Sequence, residues 1–144
     1  NGAARAPVDG VITLDNLIIN RPQQGYALRA EAANGAADES MQFDVTVGDL
    51  SAATSTLVAN PVNVVGAAST TLTLTARDVG NNVLANVPVT FDVSGTGNTV
   101  GTPSTMTAAD GTASTTLSST VTETKTVTAT VGTVSLTVNV TFVP

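Results

Sequence analysis

Chemistry in this chain has to be done with oxygen. There is no histidine and no cysteine, which excludes a Ser-His-Asp triad, a Cys-His pair, a thiolate metal site and a zinc-histidine site. Carboxylates remain, at Asp9, Asp15, Asp38, Glu39, Asp44, Asp49, Asp78, Asp92, Asp110 and Glu123 among others. The surrounding turn and strand signals put most of them at turns or on outward strand positions. A glycosidase needs two facing carboxylates in a cleft, with aromatic platforms for the sugar. The only aromatics are Tyr26, Phe43, Phe91 and Phe142, and three of them are expected on core faces. The chain is therefore read as non-catalytic, with no catalytic residue and no cofactor assigned.

Four polar features carry narrower expectations. Asp78 with Asn81 and Asn82, and Asp49 farther back, offer the oxygen ligands that calcium prefers. Their spacing matches no calcium loop, and Asp-x-x-Asn-Asn is ordinary turn chemistry, so no metal site is assigned. Lys125, the only lysine, raises the idea of an intramolecular isopeptide bond. It falls at an expected strand start, where lysine is ordinarily solvated and no buried acid is evident beside it. Tyr26 opens a Gly-Tyr-x-Leu-x-Ala run in which a phenol bonds back to backbone at a sandwich corner or packs at a core edge. Asn139-Val140-Thr141 matches a glycosylation acceptor but lies inside an expected strand.

Charge narrows the partners. The formal net charge is -6, and Arg5, Arg21, Arg29, Arg77 and Lys125 stand singly. Binding to nucleic acid requires clustered cations that displace counterions from phosphates, so no nucleic-acid partner is expected, and an anionic membrane surface is disfavoured for the same reason. No run of 18 or more apolar residues and no charged-then-apolar leader is present, so no membrane insertion is expected of this segment. Asn1 reads as the start of a mature or excised piece. The lack of cysteine does not place the chain inside a cell.

The elements that position these residues are strands. The composition is 42% hydrophobic with 3% aromatic and 11% charged residues, so the core has to be aliphatic. Abundant β-branched Val and Thr fit a pleated surface better than a helix. Thr56 to Val65 is interrupted by Asn60-Pro61, and because proline cannot donate to a ladder this is expected to be a kinked edge strand able to change sheets. Thr70 to Arg77 puts Leu72, Leu74 and Ala76 on one face. Val87, Val89, Phe91 and Val93 point inward from the next strand, and Gly95 to Pro103 reads as loop. Ala113 with Leu117, then Val127, Ala129 and Val131, then Val134 to Phe142 complete about seven strands, at the turn spacing of a sandwich.

The order of blocks also repeats. Val8-Asp9-Gly10-Val11 parallels Ala109-Asp110-Gly111-Thr112, Tyr26 to Ala30 parallels Lys125 to Ala129, and Met41 to Val47 parallels Leu136 to Phe142. The period is roughly a hundred residues, about one sandwich domain. The fold class is accordingly all-β, an immunoglobulin-like β-sandwich: residues 1–49 form the C-terminal half of one repeat and residues 50–144 a complete one. The half repeat carries Leu14, Leu17, Ile18, Ile19, Leu28, Phe43 and Val45, a face that its few strands cannot cover. Adjacent Ig-like repeats or neighbouring subunits are the expected cover for residues 1–48.

The series Ser51 to Pro61, Leu72-Thr73-Leu74-Thr75-Ala76-Arg77-Asp78, Val87-Pro88-Val89-Thr90-Phe91 and Ala109 to Ala113 resembles the bacterial Ig-like group 1 repeat of the intimin and invasin family, over the whole of residues 51–144. The resemblance implies a stalk or spacer repeat of an adhesin-like protein, extracellular or at the bacterial cell surface, with a virion surface as the alternative. It supplies neither an outer-membrane barrel nor a lectin-like cap. Two other functions stay open: a filament or virion-surface subunit assembled by strand complementation of the incomplete domain, and a module binding a receptor or glycan through the loops at residues 78–86 and 94–104.

Overall fold

A computed structural model describes residues 5–144; Asn1, read above as the start of a mature or excised piece, lies outside them. The chain forms two compact units that divide after Val45.

The first unit is built on one interrupted antiparallel hairpin. Strand β1 (Gln23–Tyr26) pairs with β4 (Phe43–Val45), and β2 (Arg29–Glu31) pairs with β3 (Ala37–Glu39). The ladder breaks between Gln23 and Tyr26 by a bulge, beside Gly25 at φ +73°. At the tip, Ala32 N–H donates to Ala36 C=O and Gly35 N–H returns to Ala32 C=O. Farther upstream the Asp9-Gly10 turn joins Val8 to Val11 with reciprocal backbone bonds. Both turn residues have positive φ, the type I′ geometry that Asp-Gly favours. Val8, Val11, Leu14, Leu17, Ile18, Leu28 and Phe43 of this unit are exposed, while Ile19 and Val45 are half-buried.

In the second unit, alternation along each strand decides the architecture. A five-stranded sheet runs β10 (Ser104–Met106), β8 (Pro88–Val93), β12 (Thr124–Val131), β13 (Val134–Val143), β6 (Asn63–Val65). A four-stranded sheet runs β5 (Thr56–Asn60), β7 (Thr70–Thr75), β11 (Thr112–Ser119), β9 (Asn98–Val100). Every pairing is antiparallel except β13 with β6. Leu72 and Leu74 of β7, Ala113 and Leu117 of β11, Val89 and Phe91 of β8, Val127 and Ala129 of β12, and Val140 and Phe142 of β13 fill one common core. These are the inner faces of an immunoglobulin-like β-sandwich, the fold the alternation implied.

The break at Asn60-Pro61 does change sheets. Residues before it pair with β7 at the edge of one sheet, and residues after it pair with β13 at the edge of the other; the peptide at the break is cis. Gly95 to Pro103 is not all loop. Asn98, Thr99 and Val100 pair with Ser119, Ser118 and Leu117 of β11. Three residues between Gly97 and Gly101 are too few to display a period, so this strand exists through its partner and not through its own pattern. Strand β10 is equally short, and together the two bring the sandwich beyond seven strands.

Gly111 is required where it stands. It has φ +78°, and a Cβ there would lie 2.8 Å from the backbone oxygen of Ala76, which the Asp110-Gly111 turn has to approach so that Gly111 C=O can accept from Ala76 N–H.

Thr70 continues the inward row of β7 and is fully buried, and its hydroxyl has no hydrogen-bond partner among the described residues. A buried hydroxyl without a partner costs free energy that an isosteric methyl does not. Thr70→Val is therefore expected to raise stability by about 1 kcal/mol, read as a higher urea midpoint at unchanged slope.

Candidate functional site

The densest polar constellation is where the chain enters the sandwich. Asp78 follows the core strand β7 and opens the turn to Asn82. Within that turn Asn81 N–H donates to Asp78 C=O and Asp78 N–H donates to Asn82 C=O, and Asn81 takes φ +65°, a conformation asparagine tolerates. The Asp78 side chain is only 4% exposed. Its Oδ1 accepts from Asn82 N–H at 2.9 Å and from the Asn82 amide at 3.1 Å. Its Oδ2 accepts from the same amide at 3.0 Å and from Gly48 N–H at 3.1 Å.

These donors have an electrostatic consequence. The Asn82 side-chain amide, aided by the N–H groups of Gly48, Asn82 and Gly80, holds the Asp78 carboxyl below its ordinary range against the opposing effect of burial. Both oxygens face N–H groups, so the carboxylate on which a calcium reading turned is committed to the turn. Asp49 is exposed. No group of three or more acids placed to hold a metal ion occurs among the described residues.

Around Asp78 the backbone is stapled to the segment before β5. Ser51 N–H donates to Arg77 C=O at 2.8 Å, and the Ser55 hydroxyl donates to the same carbonyl at 3.0 Å while accepting from Arg77 N–H at 2.9 Å. The Thr54 hydroxyl donates to Asp78 C=O at 2.7 Å. The Arg77 guanidinium reaches across the turn to Asn81 C=O at 2.8 Å. Leu50 drops into the core between these contacts.

Lys125 corrects an expectation. The strand start is not solvated: Lys125 has 0% exposure and is the largest fully buried side chain among the described residues. Its ammonium donates to Thr96 C=O at 2.6 Å and to the Glu123 carboxylate. Glu123, two residues earlier and just ahead of β12, keeps its side chain 44% exposed, so it supplies a counter-charge while remaining partly in water. The loop closes over this pair because residues 95 and 97 are glycines at positive φ; a Cβ on Gly95 would collide with the Glu123 carboxylate. The signal for burial was present in the sequence. Lys125, Val127, Ala129 and Val131 share one parity of β12, so an inward Val127 requires an inward Lys125.

Tyr26 makes the corner bond. Its hydroxyl donates to Arg21 C=O at 3.0 Å, five residues upstream, and its ring stacks on Phe43 with centroids 6.1 Å apart. Phe43 nonetheless stays exposed, unlike Phe91 and Phe142. Asn139 lies within β13 and accepts from the Thr126 hydroxyl of the neighbouring strand. Of the two loops weighed for binding, residues 78–86 begin with the Asp78 turn, and in residues 94–104 the Thr96 carbonyl meets Lys125 while Asn98–Val100 form β9. Shallow depressions lie elsewhere, one lined by Arg5, Val8, Val11 and Ile12, the other by Gly66, Thr120, Phe142 and Pro144. Among the described residues no helix is long and apolar enough to cross a membrane.

These features define a β-sandwich repeat whose polar residues serve its turns and its chain path. Residues 48–143 match the model of the bacterial Ig-like domain, group 1, and the chain belongs to that family. Among solved structures it is similar to the Yersinia pseudotuberculosis adhesin InvE, at 34% identity and TM-score 0.54, over 67% of this chain and 29% of that one. It is also similar to invasin, a bacterial integrin-binding protein, at 30% identity and TM-score 0.60, over 81% of this chain and 24% of that one. The D00-D0 domain of intimin shares the fold at 23% identity and TM-score 0.59, over 81% of this chain and 62% of that one. The chain thus spans less than two thirds of the length of each of these. No curated protein sequence matches it.

Two measurements probe the polar groups. Because its N–H donors hold the folded Asp78 carboxyl below the ordinary aspartate range, its contribution is complete above that range and is lost as pH falls through the lowered folded value. The thermal midpoint is expected to drop on acidification below about pH 4, and Asp78→Asn to start from a lower midpoint at pH 7 and to drop less. Lys125→Ala leaves a cavity and frees the 94–97 loop, and is expected to cost about 3 kcal/mol in a urea melt.

Proposed function

We propose that the chain is a non-catalytic spacer segment of a bacterial surface adhesin, extending a stalk away from the cell. The observation that carries this reading is the way the chain is fixed on both sides of the complete sandwich. Upstream, residues 48–55 are bonded into the body through Arg77 and Asp78. Downstream, β13 is held in register with β6 through Val143, where Gly66 N–H donates to the Val143 carbonyl at 3.0 Å. A unit gripping the chain at both ends transmits direction and tension from one repeat to the next, which is what a spacer has to do. Membership of the group 1 family and similarity to InvE, invasin and intimin support the adhesin context and an extracellular, cell-surface location. Integrin binding is a property of invasin; no integrin or other receptor is assigned to this segment.

Residues 1–49 fit the C-terminal half of a preceding Ig-like unit. The Tyr26 bond to Arg21 is the corner that introduces the penultimate strand of such a sandwich. The hairpin from Gln23 to Val45 follows it as β12 and β13 follow Glu123. The exposed Leu14, Leu17, Ile18 and Phe43 are then inner-face residues that strands other than those described here would cover. In the stalk reading those strands belong to the same polypeptide; in an assembly reading another subunit donates them.

Solution scattering separates these. Tandem copies of residues 46–144 are expected to give a maximum dimension that grows in proportion to copy number; growth with its square root, as for a flexible chain, sinks the spacer reading. The 144-residue chain itself is expected to scatter as a monomer of 14.3 kDa, whereas a much heavier particle favours donation between subunits.

A further inference from the structure

The spacer reading leaves open where a stalk bends, and the contacts around Asp78 answer it. Between Val45, the last residue of β4, and Leu50, which is buried in the core at 7% exposure, lie Thr46, Val47, Gly48 and Asp49, all exposed. Exposure alone would make this a four-residue hinge. One of the four is tied down: Gly48 N–H donates to Asp78 Oδ2.

The bond is strong for its setting. Its acceptor is a charged carboxylate, and hydrogen bonds to ionised groups contribute roughly twice as much as neutral ones. The acceptor cannot drift, because the Asn82 amide bridges both carboxylate oxygens and Asn82 N–H fixes Oδ1. The turn carrying it is itself held to the 51–55 segment by Ser51, Thr54 and Ser55.

We infer that Asp78 is the positioning residue of the stalk joint: by capturing Gly48 it withdraws Gly48 and Asp49 from the hinge and confines bending to Thr46 and Val47. This deepens the spacer reading and rests on it for its biological meaning. A linker of two free residues samples far fewer directions than one of four, since each residue fixed removes backbone conformational freedom. The same carboxylate links the joint to pH. The groups facing it are the Gly48, Gly80 and Asn82 N–H donors and the Asn82 amide, none of which titrates, so release of Gly48 follows protonation of Asp78 itself.

The test is backbone ¹⁵N relaxation of the full 144-residue chain. In the unmodified protein the order parameters of Gly48 and Asp49 are expected near those of the sandwich body, about 0.85, with Thr46 and Val47 below them. In Asp78→Ala, Gly48 and Asp49 are expected to fall below about 0.6 while Leu50 keeps its value. Should Asp78→Ala fail to fold, Asp78→Asn preserves shape and is expected to lower protection of the Gly48 amide against hydrogen exchange at least threefold. A Gly48 that is already mobile in the unmodified chain, or that stays rigid and protected in a folded Asp78 variant, overturns the inference. The readout is local to Gly48 and Asp49, so it is distinct from the scattering test of the spacer reading: tandem copies that scatter as a coil while Gly48 responds as expected would refute the stalk and leave the joint standing.

Discussion

The sandwich of the second unit rests on mutual coverage of two aliphatic faces. Neither sheet has large rings to spend; apart from Phe91 and Phe142 the core is Val, Leu and Ala. Each fully buried Val, Leu or Phe contributes roughly 1.5–3 kcal/mol, so stability comes from many modest side chains in strict alternation. That makes register the governing quantity, since a one-residue slip of any strand would turn its inner row to solvent. The antiparallel pairings of β7 with β11 and of β12 with β13 run unbroken over their length, which fixes that register in each sheet. The first unit shows the same constraint unmet: its strands pair, but most of its large apolar side chains are exposed among the described residues.

With the core set by alternation, the poles and crossings are left to polar groups, and each is used to hold chain in place. Asp78 gathers N–H donors from its own turn and from Gly48. Asp110 accepts from the N–H and hydroxyl of Thr112, which holds its carboxyl below the usual range and shapes the turn into β11. Lys125 is a different solution. A cation inside an aliphatic face is tolerated only with acceptors supplied, and the loop carbonyl of Thr96 and the half-exposed Glu123 supply them. A buried charge of this kind favours the observed path of the 94–97 loop, which brings the Thr96 carbonyl to the ammonium. In a protein whose surface chemistry is mostly Thr and Ser, these ionised groups sit where chain direction is decided.

Much of the fold was legible in order of residues. The sheet class, the sheet change at Asn60-Pro61, the inward rows of β7, β8, β11, β12 and β13, and the turns at Asp78 and Asp110 follow from parity, from the missing N–H of proline and from side-chain-to-backbone bonding. Strand β9 was hidden, since Asn98 to Val100 has no pattern of its own and is extended only because β11 offers its edge. Lys125 was misread for a different reason. Residue type argued for solvent while strand parity argued for the core, and parity wins because a strand cannot turn one side chain outward without moving its neighbours.

Sequence by itself determined which residues face inward and where the chain turns, because both depend on interactions within a few residues: the two-residue period of a strand and the φ preferences of Gly, Asn, Asp and Pro. Tertiary structure alone decided what each polar group meets. Gly48 and Asp78 are thirty residues apart along the chain, and Lys125 and Thr96 twenty-nine. Hydrogen-bond partners at such separations are chosen by how the sheets bring loops together, and no local pattern encodes that choice. For the same reason the sequence identifies an aliphatic face in residues 1–49, while its cover depends on a second surface that local chemistry does not specify.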